Sequence, residues 1–297
     1  GLTRSGPAPA GRYDHRMIST TAGLRTRLAE LRAEGPASTV ALLSTIGALH
    51  DGHRDLIRAA REAADIVVVS MFLNPLRFRT AADAQAYPRT PEADRAMLDE
   101  LGVDIAFAPT TAEMFADLSS TTKVSAGDLG LRYEGRSRPY YFDGLLTVEA
   151  KLFSLVRPDV AVYGRRDRQR VFLVERMIRD FFLDIDVVTV DIVRDGGGLP
   201  VSSRVALLDD ADLAAAAKLP LALEAAAANA DRGVDACIAA AQGALMGEPR
   251  IALEYLNVVD PATFLPVDEG HAGPALALIA ATVAGHRFID NVEIYIG

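Results

Sequence analysis

Apolar and polar positions fall along this chain in blocks that read as helix, strand, helix, strand. Thr20 to Glu34 sets Leu24, Leu28 and Leu31 at helical spacing and stops at Gly35-Pro36, so a helix precedes the first strand. The apolar run Val40-Ala41-Leu42-Leu43 passes through Ser44-Thr45-Ile46-Gly47-Ala48-Leu49-His50-Asp51-Gly52-His53 into a helical pattern at Leu56, Ile57, Ala60 and Ala64. That order predicts a buried strand, a tight turn and a helix N-terminus. Residues 65–72 form a continuous β-branched run of the kind found in sheets covered on both faces, and Leu73 to Phe78 is the loop at its carboxyl end, where ligands gather in open α/β sheets. Loop and helix follow over 81–101, then a third strand over 103–108, a helix over Gly144–Val156, a strand at Val160–Tyr163, a helix to Phe181 and a strand over 185–190. Strict alternation implies parallel pairing through right-handed crossovers, an α/β chain with a Rossmann-like sheet.

Periodicity fails between Pro109 and Phe142, which reads as an irregular region holding dimer or lid elements. After Arg194 the composition changes. Asp195-Gly196-Gly197-Gly198-Leu199-Pro200 reads as a flexible hinge, followed by Val201-Ser202-Ser203-Arg204, alanine-rich helices from Ala211 to about Gly247, and strand-like runs over 251–259, 275–283 and 287–296. Helices followed by antiparallel strands predict a smaller C-terminal α+β lid domain. The expected division is a flexible tail over 1–16, a Rossmann-like domain over 17–193 and the lid over 194–297.

Composition narrows the function classes. With 297 residues, 50% of them hydrophobic and 24% charged, the chain can bury real cores. A formal charge of −9 and the lack of a Lys/Arg cluster argue against nucleic acid as a partner. The single cysteine, Cys237, excludes a disulfide framework and fits a reducing cytoplasm. No apolar run approaches the roughly 20 residues that span a bilayer, so no membrane is expected as a partner. His271 and His286 stand without partners at metal-ligand spacing, and no structural metal is expected.

The chemistry concentrates at the first turn. Free backbone N–H groups at the positive end of a helix suit phosphates, Gly47 and Gly52 carry no side chain to block them, and His50 and His53 would face them. The competing reading makes both histidines ordinary polar loop residues. The strand, small residues and His-x-Gly-His spacing resemble the nucleotide-binding signature of the nucleotidylyltransferase superfamily. Further along, Asn74-Pro75-Leu76-x-Phe78, Tyr87-Pro88-Arg89-Thr90, Gly102-Val103-Asp104, Arg138-Pro139, Lys151-Leu152-Phe153, Ser202-Ser203-Arg204 and Asp290-Asn291 resemble the pantothenate synthetase family in order and spacing, from about residue 38 to the last residue.

That resemblance implies an ATP- and acid-binding first domain, a lid and a homodimer. It implies a ligase in which ATP and a carboxylic acid form an acyl-adenylate and an amine then displaces AMP. By the same resemblance His50 and His53 stabilise charge on the phosphates with Mg²⁺, Gly164 and Asp167 fall where the ribose is held, and Ser202, Ser203 and Arg204 match triphosphate contacts. A helix cap is the competing reading for Ser202–Arg204.

Departures from the family gather in the same places. Arg166 replaces the phosphate lysine; Arg77 and Arg170 replace two glutamines that, with Asn74, belong to the acid site. Tyr141 replaces a histidine, Glu149 a small apolar residue and Val205 an asparagine. A diverged paralogue that adenylates a carboxylic acid and forms an amide is the leading expectation, and two guanidinium groups converging on one pocket call for an anion between them, which suits a dianionic acid. The competing possibility is that Glu149 pairs with one arginine and the pocket is remodelled. A genuine pantothenate synthetase, a non-catalytic nucleotide-binding relative and a nucleotidylyltransferase are the alternatives.

Overall fold

The structure, a computed structural model, describes residues 17–78, 80, 84–119 and 121–297. The expected tail over 1–16 and the opening residues 81–83 of the predicted loop-and-helix segment lie outside the described residues. The N-terminal part alternates α1 (Thr21–Glu34), β1 (Val40–Thr45), α2 (Asp51–Ala63), β2 (Ile66–Met71), α3 (Pro91–Glu100), β3 (Ile105–Phe107), α4 (Tyr141–Val156), β4 (Val160–Gly164), α5 (Arg168–Asp180) and β5 (Asp186–Val190). The strands form one parallel sheet in the order β3-β2-β1-β4-β5, with Leu42 at its centre, opposite Val68 on one side and Ala161 on the other.

Two-residue periodicity sorts the strands between two cores. Val40, Leu42, Val68, Ile105 and Phe107 pack with Leu24 and Leu28 of α1, Leu145 and Leu152 of α4 and Leu173 of α5. Ala41, Leu43, Val67, Val69 and Val162 point the other way, against Ile57 and Ala60 of α2 and Leu98 of α3. Burial on both faces explains the unbroken apolar runs.

The C-terminal part holds α6 (Asp210–Ala216), α7 (Lys218–Ala227), α8 (Val234–Leu245) and a three-stranded antiparallel sheet of β6 (Ile251–Val259), β7 (Gly273–Val283) and β8 (His286–Ile296), with a register shift between Leu253 and Tyr255. Its core is separate: Leu219, Leu223, the buried Cys237, Ala277, Ile279 and Ile296 pack together. Among the described residues no helix is long and apolar enough to cross a membrane.

Two segments take a defined local form that the sequence pattern does not show. The glycine-rich stretch after Arg194 is a compact turn: Asp195 N donates to Leu199 O at 2.9 Å, and Asp195 Oδ1 accepts from Gly197 N and Leu199 N. Gly198, at φ +82°, supplies the left-handed position the turn needs. The irregular region is tied down from α4, whose Asp143 and Thr147 accept from Ala126 N and Val124 N at 2.8 and 2.9 Å. These side chains satisfy backbone donors that a strand ladder would otherwise take. The helix itself begins at Tyr141, three residues before the apolar periodicity becomes regular.

Candidate functional site

The site forms where β1 ends. Gly47 and Ala48 take positive φ values of +84° and +52°, and the carboxylate of Asp94, reaching in from α3, accepts from Ala48 N at 3.0 Å, Leu49 N at 2.8 Å and Thr90 Oγ1 at 2.9 Å. His50 then caps α2. Its Nδ1 accepts from Gly52 N at 3.1 Å, while His50 N donates to Nδ1 of His53 at 3.2 Å. A Cβ at Gly52 would lie 2.9 Å from His50 Cε1, so only glycine lets the ring fold back over the helix start.

These bonds fix the tautomers. A ring accepting at Nδ1 while neutral carries its proton on Nε2. His53 therefore donates Nε2–H to Thr45 Oγ1 at 3.1 Å, and His50 keeps Nε2–H available to a ligand. Both rings are neutral at physiological pH. Burial, then the charge of Arg166, brings the His50 pKa to about 4, and burial with His50, Arg166 and Arg170 brings His53 to about 3. The ring centroids are 4.2 Å apart.

Facing the rings across a cavity of about 240 Å³ are Arg166, Ser202, Ser203 and Arg204. Arg166 donates to Val201 O at 3.0 Å, and Ser202 Oγ accepts from Arg204 N at 3.1 Å, which bends the segment without capping a long helix. Burial lowers the pKa of both guanidinium groups. Gly164 ends β4, and among the described residues only Leu56 comes within 4 Å of a would-be Cβ. Asp167 lines the same cavity and caps α5, accepting from Arg170 N at 3.0 Å. Burial and Glu134 raise its pKa.

The residues expected at the acid site also meet, but not as converging free arginines. Glu149 Oε1 takes Arg170 Nη2 and Ser44 Oγ, both at 2.6 Å, while Tyr163 OH donates to Oε2 at 3.0 Å. Burial alone would depress the Arg170 pKa; Glu149 overrides it and holds it above the ordinary value. Arg77 instead donates to Tyr141 OH at 2.8 Å. Asn74 is a brace as well as a wall: its Nδ2 donates to Gly144 O and its Oδ1 accepts from Leu76 N, both at 3.0 Å.

Sequence reasoning left out several residues that build this site. Asp94 sits inside a helix pattern and shows its purpose only through contacts with the distant 48–49 turn. Glu134, 2% exposed, binds Arg138, Arg287 of β8 and Tyr255 of β6, joining the two parts of the chain beside the cavity. Arg138 lies 3.6 Å from the centre of the Tyr141 ring. Arg138-Pro139 was a visible motif; its carboxylate partner was not.

Fold and site thus define a Rossmann-like α/β protein with an arginine-rich cleft between its parallel sheet and a second α+β unit. The pantoate-beta-alanine ligase family model matches residues 16–293, and the chain belongs to that family. It is 48% identical over 279 residues to the pantothenate synthetase of Leifsonia xyli, covering 94% of this chain and 96% of that one. To the pantothenate synthetase of Acidothermus cellulolyticus it is 47% identical over 272 residues, 89% of each chain. The crystal structure of pantothenate synthetase from Thermus thermophilus superposes with a TM-score of 0.86 at 39% identity, covering 94% of this chain and 99% of that one. The pantoate-beta-alanine ligase from Francisella tularensis, complexed with beta-gamma ATP and beta-alanine, superposes with a TM-score of 0.76 at 26% identity, covering 93% and 97%.

Proposed function

We propose that the chain is an AMP-forming ligase that joins pantoate to β-alanine at the expense of ATP, working as a homodimer in the cytoplasm with residues 194–297 closing over residues 17–193. A pantoate carboxylate oxygen attacks the α-phosphorus of ATP and pyrophosphate leaves; the β-alanine amine then attacks the acyl carbon, loses a proton and releases AMP. The observation that carries the reading is the shared cavity that joins the His50–His53 pair to Arg166 and the Ser202–Arg204 segment.

Charge builds on the phosphate oxygens as the α–β bond breaks, and fixed donors there act without reorganising. His50, neutral, contributes an oriented Nε2–H; positive charge comes from Arg166 and Arg204. His53 holds the geometry through Thr45 and the His50 amide. Gly164 and Asp167 are assigned to the ribose. Arg77, Arg170, Tyr141, Glu149 and Asn74 are assigned to the acid. Among the described residues no group of three or more His, Cys, Asp or Glu could hold a metal ion, so no residue is assigned to Mg²⁺. Bound to ATP, Mg²⁺ supplies charge neutralisation on the phosphates.

The Glu149–Arg170 pair favours pantoate over a dianionic acid. It cancels one of the two charges that a second carboxylate would need. ATP–pyrophosphate exchange tests the proposal: exchange should require pantoate, and AMP release should require β-alanine as well. ATP binding without turnover on pantoate would point to a non-catalytic relative, and AMP transfer to a phosphorylated acceptor to a nucleotidylyltransferase; either result overturns the proposal.

A further inference from the structure

Where the carboxyl ends of β1 and β2 meet α4, a second cavity of about 20 Å³ shares Ser44, Thr45, Arg77 and Arg170 with the main cleft. Two buried donors at its wall, Ser70 Oγ and Arg170 Nε, have no protein partner. Buried donors of this kind await an acceptor from a ligand or water. Arg77 lines both spaces, and among the described residues no carboxylate pairs with it. Arg170 is different, because Glu149, 2% exposed, grips it from the protein side.

We propose that Glu149 is a specificity-determining positioning residue: it cancels the Arg170 charge from inside the protein, leaves Arg77, among the described residues lining the second cavity, as the one net cation at the acid subsite, and thereby selects acids with a single carboxylate. The inference rests on the ligase reading and deepens it. An anion placed near a buried guanidinium gains a factor of ten or more from that charge, and a carboxylate already paired with the guanidinium removes the gain. Glu149 therefore sets how many negative charges the acid can carry. Arg170 keeps its Nε–H for hydrogen bonding and contributes no net charge.

The test compares pantoate with 3,3-dimethylmalate, in which pantoate's primary alcohol is replaced by a second carboxylate. ATP–pyrophosphate exchange is measured for the wild-type chain, Glu149→Gln and the doubly neutral Glu149→Gln/Arg170→Gln variant. Glu149→Gln should move the ratio of kcat/KM for dimethylmalate over pantoate upward by about tenfold or more, and the double variant should bring it back towards wild type. An unchanged ratio in Glu149→Gln overturns the inference. Should that variant fail to fold, Arg170→Gln serves: leaving Glu149 unpaired, it should raise the pantoate KM by about tenfold, and Glu149→Gln in the same chain should restore it. Failure of that restoration also overturns the inference. If the wild-type chain exchanges with neither acid, the ligase reading fails, and calorimetric binding of the two acids in the presence of a non-hydrolysable ATP analogue still reads the same ratio.

Discussion

The two walls of the cleft handle charge in opposite ways. At the β1–α2 corner the polar groups are neutral imidazoles, kept uncharged by burial and fixed by backbone amides within a few residues of themselves. On the opposite wall, around α4 and α5, guanidinium groups meet carboxylates directly, Arg170 with Glu149, and Arg138 and Arg287 of β8 both with Glu134. The rings of the first wall are oriented by nearby backbone amides, with Asp94 of α3 bracing the turn before them, whereas the second wall is built by packing between elements. Oriented dipoles suit a place where charge appears only during reaction; compensated charges suit a place where an anion must be chosen before reaction begins.

Removing the first wall's dipole has the largest expected effect. His50→Ala should lower pantoate-dependent ATP–pyrophosphate exchange by about 100- to 1,000-fold, with circular dichroism unchanged. If the loss is only a few-fold, the corner is structural and the contrast between the walls disappears.

Next in size is the support behind that corner. Asp94→Ala leaves two turn amides and a threonine hydroxyl without their acceptor, which should cost about 2–4 kcal/mol of unfolding free energy by denaturant titration. The same change at Asp99, an exposed carboxylate of α3, should leave stability within about 0.5 kcal/mol.

The smallest effect reads the neutral imidazoles directly. Folding depresses both pKa values, so below pH 6.5 the unfolded chain takes up protons that the folded chain refuses. Their contribution is fully present above that pH and is lost as pH falls towards about 4 for His50 and about 3 for His53. Each ring should give a slope of up to about 1.4 kcal/mol per pH unit. His53→Gln should flatten the profile measured by denaturant midpoints between pH 7 and pH 4.5; an unaltered slope would mean that His53 is charged.

The same contrast explains what could be read from the chain in advance. The alternation of strands and helices, the parallel sheet, the C-terminal antiparallel sheet and the folding back of the two imidazoles all follow from residues close in sequence: a run such as Ile66–Met71 must be buried on both faces, and His-x-Gly-His closes on itself within one turn of helix. The second wall depends on partners such as Glu149 and Arg170, which come together only when α4 and α5 dock. For that reason the two arginines looked like a dianion site from sequence, and the carboxylate that neutralises one of them could be named without its choice of partner being visible. Asp94 and Glu134 were hidden likewise, one inside an amphipathic pattern and the other in a stretch without periodicity. The start of α4 was obscured because Tyr141 and Phe142 are both buried, which blurs the alternation that marks an amphipathic helix.

One side chain on β8 bears on how the two halves act on each other. Asn291 Nδ2 donates to the carbonyls of Arg165 and Arg166 at 2.8 and 3.0 Å, and its neighbour Asp290 holds Arg194 through both carboxylate oxygens. In mechanical terms the last strand is a strut bolted through two neighbouring residues, Asp290 to the turn after β5 and Asn291 to the peptide that carries Arg166. A load on the C-terminal sheet is thus delivered straight to Arg166, and severing the bolt at Asn291 would remove that path while leaving the Glu134 links to Arg287 and Tyr255 in place.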